Sequence, residues 1–204
     1  MTRLIGITGG IASGKSTVTS LIKQAGYTVI DADKLVHDLQ QKGGRLYNAL
    51  LEQFGRGILA ENGELDRPKL AQLIFSDEAK RRLSNQVQDD VIKSALANER
   101  DKAMARISDV VFMDIPLLIE KGYVSWFDEI WLVSLDEDKQ LERLMKRNHY
   151  SLSDAKQRLK SQMILSEKRP YASHMIDNNG TKSELEALVK AELLRLDKWI
   201  ESTR

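Results

Sequence analysis

A glycine loop set between a strand and a helix constrains this chain more than any other stretch. Residues Gly9-Gly10-Ile11-Ala12-Ser13-Gly14-Lys15-Ser16 match Gly-x-x-x-x-Gly-Lys-Ser/Thr, a pattern that carries chemistry only when a strand precedes it and a helix follows. Both flanks are present. Leu4-Ile5-Gly6-Ile7-Thr8 reads as a short buried strand, and Thr17 to Gln24 sets Val18, Leu21 and Ile22 on one helical face. Glycines let the backbone wrap an anion with successive N–H groups pointing inward, and the new helix adds its positive dipole end. Gly9 to Thr17 are therefore the expected contacts to a nucleoside triphosphate. Lys15 is placed to reach the β- and γ-phosphates, and the Ser16 hydroxyl to bind Mg²⁺.

The 204 residues suffice for one buried core with inserted lobes. Lysine and arginine number 31 against 30 acidic residues, a net charge of +1, which argues against both disorder and a nucleic-acid partner. The lack of cysteine removes disulfides, thiolate zinc sites and thiol catalysis together, and suits a reducing compartment. His37, His149 and His174 are scattered and have no metal-ligand spacing. The N-terminus enters the first strand directly, and no apolar run approaches the roughly 18 residues of a membrane span. The expectation is a soluble cytoplasmic enzyme with no membrane partner. Nothing in the sequence speaks to oligomeric state.

Gly26 has the place of a helix C-terminal cap. Tyr27-Thr28-Val29-Ile30 then reads as a second strand delivering Asp31-Ala32-Asp33 at its carboxyl end, where open α/β sheets bind ligands. Asp33 admits two readings on spacing alone: a catalytic carboxylate beside the phosphate loop, or the N-cap of the helix carrying Leu35, Val36 and Leu39. Residues 34–107 carry almost no strand signal. Leu46, Leu50 and Phe54 form one helical face and Leu70, Leu73 and Ile74 another, and a long helix opens at Ser76-Asp77-Glu78. This is too long for a loop and reads as a helical insertion.

The sheet resumes at Asp109-Val110-Val111-Phe112-Met113-Asp114, a run typical of a strand buried on both faces. Asp114, an acid at a strand tip, is either a solvated turn residue or a carboxylate that holds Mg²⁺ through a bound water. Glu129 to Ser134 forms the fourth strand, with a capping box at Ser134-Leu135-Asp136-Glu137 for the next helix. Most of the basic residues that follow solvate helix faces. Phosphoryl transfer needs cations around the migrating group, and Arg143, Arg147 and Arg158 are the candidates. His174 to Asn178 forms a last short strand, followed by a second capping box at Thr181-Lys182-Ser183-Glu184. Leu185, Leu188, Val189, Leu193, Leu196 and Ile200 give the closing helix an apolar stripe to pack on the sheet.

A nucleotide-dependent switch and a small-molecule kinase both use such a loop. A GTPase switch shows an Asp-x-x-Gly after a strand and an Asn-Lys-x-Asp for guanine, and the chain is read as carrying neither. The large helical insertion and the late arginine-bearing helices suit a kinase that closes over two substrates and excludes water. The chain also resembles the dephospho-CoA kinase family. The resemblance rests on Gly6 to Ser16, Asp31-Ala32-Asp33, Phe54-Gly55, Asn62-Gly63-Glu64-Leu65-Asp66-Arg67, Ile74-Phe75, Pro116-Leu117-Leu118-Ile119-Glu120, Gln140 to Arg143, Arg147 and Asp177-Asn178-Asn179-Gly180, in the family's order.

That resemblance implies an α/β fold with a P-loop kinase core. A parallel sheet flanked by helices would span residues 1–33, 108–135 and 171–204, with a helical coenzyme A lobe at 34–107 and a helical lid at 136–170. It implies transfer of the γ-phosphoryl of ATP to the ribose 3′-hydroxyl of dephospho-CoA, with Mg²⁺, as the last step of coenzyme A synthesis. Asp33 would act as base, Lys15, Arg143 and Arg147 would stabilise the transferring group, and Asn178 and Gly180 would contact the nucleotide. The alternative is another nucleoside or nucleotide kinase built on the same loop. Two positions depart from the family's usual pattern: Gln88-Asp89 stands where His-Pro is common, and Ala172-Ser173 where Ala-Asp is common.

Overall fold

The computed structural model describes residues 2–105 and 109–203. The expected lobe boundary at 107–108 lies outside these residues. The chain divides into two compact units, Met1–Ile30 with Met104–Arg204, and Asp31–Ala103.

The first unit is built on a five-stranded sheet in the order β2-β3-β1-β4-β5. The strands are β1 (Arg3–Gly9), β2 (Thr28–Asp31), β3 (Val110–Asp114), β4 (Glu129–Ser134) and β5 (His174–Asp177). β1 pairs in parallel with both β3 and β4, and β4 with β5. Every residue of β3 and β4 is buried, which is why these strands read as continuous rather than alternating apolar runs. The register sets Ile7 opposite Asp114 and Gly9 opposite Val133. The tip of β3 therefore lies just behind the start of the glycine loop.

Helices α1 (Lys15–Gln24) and α9 (Lys182–Thr203) cover this sheet. Val18 and Ile22 of the one, and Leu185, Val189, Leu193 and Leu196 of the other, close over Ile5, Ile7, Phe112 and Trp131 in one core. Leu188, read from sequence as part of the α9 stripe, is 43% exposed. α1 ends as expected: Gly26 takes a left-handed conformation (φ +91°) and the Tyr27 N–H reaches back to the Ile22 carbonyl. α9 begins on the expected capping box, with Glu184 accepting from the Thr181 N–H and the Thr181 hydroxyl accepting from the Glu184 N–H. The other box fails. Ser134 is the buried last residue of β4, and the N-cap of α6 (Glu137–Asn148) is Asp136. The Asp136 side chain turns outward to accept from Asn179 Nδ2 instead. α7 (Leu152–Lys160) and α8 (Leu165–Lys168) complete the segment proposed from sequence as a lid.

At the amino end of the sheet, Glu129 begins β4 as a buried carboxylate held by cations from two other elements. Arg195 reaches it with two guanidinium nitrogens at 3.1 and 2.6 Å, Arg3 at 2.8 Å, and the Trp131 indole N–H at 3.2 Å. Burial pushes its pKa up, but the Arg195 and Trp131 hydrogen bonds and the two guanidinium charges outweigh it, so the net shift is downward. A lowered folded-state pKa gives stability that is present above the ordinary value of 4.5 and is lost as pH falls through the folded value. Removing one partner of a buried ion pair costs roughly 3–5 kcal/mol, and less here because Arg195 and Arg3 are partly hydrated. Glu129→Gln should thus lower the melting temperature by about 5–10 °C at neutral pH. The gap from wild type should shrink as pH falls below the ordinary carboxylate range, which a melting series in pH checks.

The second unit is helical. α2 (Ala32–Gln40), α3 (Arg45–Phe54), α4 (Arg67–Phe75) and α5 (Glu78–Met104) close around Leu39, Leu46, Leu50, Ile58 and Ala95. The compact loop between α3 and α4 is tied by an antiparallel bridge from Leu59 to Leu65. α5 opens where the sequence sets it, with Asp77 accepting from the Ala79 and Lys80 N–H groups. Phe75, at the end of α4, is 90% exposed.

Candidate active site

The glycine loop follows β1 at the carboxyl end of the sheet, and its backbone accounts for the residue types. Gly14 has φ +92°, which L side chains resist. A Cβ there would lie 2.1 Å from Asn178 Nδ2, and a Cβ at Gly9 would lie 2.7 Å from the Val133 carbonyl oxygen. Ala12 is also left-handed (φ +58°). α1 starts at Lys15 with no acidic residue in its first turn and no side-chain cap. Its leading N–H groups face no competing carboxylate from their own helix, as an anion cradle requires.

The side chains expected around the loop are found in definite places. Lys15 Nζ forms an ion pair with Asp114 Oδ1, and both side chains are largely buried. The parallel register explains the contact, since Asp114 ends the strand beside the stem of the loop. Ser16 is exposed in the first turn of α1. Asn178 is buried and donates to the Ser13 carbonyl at 2.7 Å, so it braces the loop from behind. Arg143 donates to the Asn178 carbonyl at 3.4 Å, which sets its guanidinium next to Gly14. Arg147 is exposed and donates to Asn148 Oδ1 at 2.9 Å, and Arg158 lies over the Tyr150 ring at 4.4 Å. Gly180 sits in the turn before α9, where a Cβ would meet Glu184 Oε2 at 2.3 Å. Against the sequence reading, an Asp-x-x-Gly does follow a strand, at Asp177 to Gly180 where β5 ends, but here Asn178 is spent on the loop and Asp177 accepts from the Asn179 N–H.

Asp33 is not a cap. β2 ends one residue later than the sequence reading set it, so α2 begins at Ala32 and its N-cap is Asp31, whose Oδ1 accepts from the Lys34 N–H at 3.0 Å. Asp33 is the second residue of α2, exposed, in the first turn.

Three further contacts were invisible in the sequence. Gln162 Oε1 accepts from the Ile11 N–H at 3.0 Å, tying the segment after α7 to the glycine loop. The Ile11 and Ala12 side chains pack against Leu141, Leu144 and Ala155. Lys168, one of the basic residues after β4, is fully buried with Nζ 2.8 Å from Glu120 Oε1, an acid partner that offsets the cost of burying a cation. It lines a cleft of about 250 Å³ with Gly10, Gln140 and Gln162. Of the two departures from the family pattern, Gln88 donates to Ser84 Oγ at 3.0 Å. Ser173 accepts from the Ile130 N–H at 3.1 Å at the amino end of the strands, the end opposite the glycine loop.

Residues 3–184 match the family model for dephospho-CoA kinase. A dephospho-CoA kinase of Streptococcus thermophilus is 58% identical over 190 residues, which is 93% of this chain and 96% of that protein. The chain belongs to the dephospho-CoA kinase family. It is a kinase, an enzyme built on a nucleotide-binding loop. Among solved structures, a protein of Thermus thermophilus aligns with TM-score 0.78 and 33% identity over 96% of this chain and 98% of that one. A dephospho-CoA kinase from Campylobacter jejuni shares the fold, with TM-score 0.75 and 23% identity over 97% of this chain and 98% of that one. Among the described residues no helix is long and apolar enough to cross a membrane.

Proposed function

We propose that the chain transfers the γ-phosphoryl group of ATP to the ribose 3′-hydroxyl of dephospho-CoA, giving CoA and ADP in the cytoplasm. The observation that carries this reading is the glycine loop with an uncapped helix start and Lys15 held on Asp114, in a chain of this family. Lys15 neutralises charge on the β- and γ-oxygens, and Asp114 fixes its direction. Arg143 and Arg147 close on the same group. Asp33 receives the proton of the attacking hydroxyl and orients its oxygen. Positioning and fixed charge supply most of the acceleration, because a loose phosphoryl transition state demands little covalent help.

Mg²⁺ characteristically takes one or two protein oxygens together with waters and substrate phosphates; the exposed Ser16 hydroxyl is an oxygen donor of that kind, and the Asp114 carboxylate would hold the ion through a bound water. Bound there, the ion would neutralise charge developing on the β- and γ-oxygens.

Release of ADP, measured against a panel of acceptors, tests the reading. Turnover with dephospho-CoA far above that with nucleosides and nucleoside monophosphates is the expected result. Preference for a nucleoside or nucleotide would favour the other kinase reading. The lid assignment predicts that backbone amides of residues 136–170 exchange more slowly when ATP and dephospho-CoA are both bound. Unchanged exchange with both ligands saturating would make that segment a rigid scaffold.

A further inference from the structure

The helical unit contains an open cleft of about 500 Å³, within the range of small-molecule sites, between the end of α2 and the stretch that leads into α4. Its lining includes His37, Lys42 and Arg67. Four lysines of this unit have acid partners: Lys34 pairs with Asp38, Lys69 with Asp66, Lys80 with Asp77 and Lys102 with Glu99, whereas Arg45 bonds the neutral Ser94 Oγ. In the cleft, Lys42 and Arg67 also have neutral partners. Lys42 Nζ donates to the Asn62 carbonyl at 3.3 Å, and Arg67 Nη2 donates to Gln40 Oε1 at 2.7 Å. A neutral acceptor fixes the direction of a cation without cancelling its charge.

The acids in the lining are already committed. Asp66 caps α4 by accepting from the Lys69 N–H at 3.0 Å, a hydrogen bond that holds its carboxyl below the usual range. Glu64 Oε2 accepts from Asn62 Nδ2 at 3.0 Å. The turn that presents these groups is itself held. The buried Tyr47 donates its hydroxyl to the Gly63 carbonyl at 2.8 Å. Gly63 has φ +78°, and a Cβ there would stand 3.0 Å from Lys42 Nζ. The cleft is thus a built polar surface on which two cations with neutral partners, Lys42 and Arg67, outnumber the one carboxylate with a neutral partner, Glu64.

We propose that this cleft binds the pyrophosphate of the acceptor, with Lys42 and Arg67 as its principal contacts. The proposal rests on the reading of dephospho-CoA as acceptor. In that molecule adenosine is joined to the pantetheine arm through a 5′-pyrophosphate, which is its one ionised group near neutral pH. Adenine, ribose and the amide-bearing arm are uncharged, so the two cations of a cleft in the acceptor lobe have a single group to recognise. The guanidinium offers a bidentate fork to phosphate oxygens and the ammonium a point charge. Arg67 and Lys42 are binding residues on this account and take no part in the proton or phosphoryl transfer.

The test is the affinity for dephospho-CoA, by calorimetry, and its KM, in wild type, Arg67→Gln, Lys42→Gln and the double variant. Each single change should weaken dephospho-CoA about 10-fold or more, on the scale of a charged hydrogen bond. The double variant should weaken it further and flatten the salt dependence of binding, while Arg67→Lys restores part of the loss. ATP affinity, kcat at saturating acceptor and melting temperature should stay near wild type, since both side chains are exposed. If wild type binds and phosphorylates dephospho-CoA but the variants bind it equally well, the cleft is not the pyrophosphate site. If the variants lose ATP affinity instead, the cleft serves the donor and the proposal is wrong. If wild type turns over another acceptor and not dephospho-CoA, the functional reading itself falls, and this assignment with it.

Discussion

Asp33→Asn is expected to lower kcat by roughly 10²–10⁴-fold, because an amide cannot accept the hydroxyl proton that a carboxylate in general-base position takes. The helix should survive. Its N-cap hydrogen bond is made by Asp31, so the substitution removes only a first-turn negative charge near the helix dipole. That loss is about 0.3–1 kcal/mol at an exposed site. ATP affinity should stay level or rise slightly, since a negative charge is removed from the acceptor side while the phosphate contacts proposed for the loop and Lys15 are untouched. Measured together, kcat with dephospho-CoA, ATP affinity and a melting curve separate chemistry from structure. Normal melting with turnover within a few-fold of wild type would remove Asp33 from the mechanism.

Lys15→Ala should cut phosphoryl transfer by about 10²-fold or more, the scale on which a single preorganised charge contact acts. The sheet should be unaffected in outline, because Lys15 belongs to the first turn of α1 and contributes no apolar surface to the core formed by Val18 and Ile22. The variant also removes the cation proposed to contact the phosphates, so its ATP affinity should fall along with kcat, and it takes Lys15 from the buried Asp114 carboxylate, so its melting temperature should fall as well. Near-wild-type kcat/KM for ATP in a verified variant would sink the assignment of the glycine loop as the phosphate cradle.

Much of the frame was legible from sequence because it rests on short-range rules. β4 occupies the residues that its apolar run marked, and the Thr181–Glu184 box formed as spacing predicted. Misreadings arose where local signals competed. Ser134 and Glu137 have capping-box spacing, yet strand pairing claimed Ser134 and moved the helix start to Asp136. Asp31 and Asp33 are both good caps, and where β2 ended decided between them. The Gln162 contact to the loop and the burial of Lys168 on Glu120 join residues far apart in sequence, and no periodicity or composition marks a glutamine or a lysine for such a partner. Charge pattern likewise could not show that Lys42 and Arg67 have neutral partners while neighbouring lysines have acids.

The most direct measurement is the identity of the product that wild-type enzyme makes from ATP and dephospho-CoA. Phosphorus NMR with proton coupling locates the new phosphate, and comparison with authentic CoA fixes the regiochemistry. The mechanism predicts one phosphomonoester on the ribose 3′-oxygen, formed in step with ADP. A phosphate on the 2′-oxygen or on the pantetheine arm, or ADP release with dephospho-CoA recovered unchanged, would contradict it.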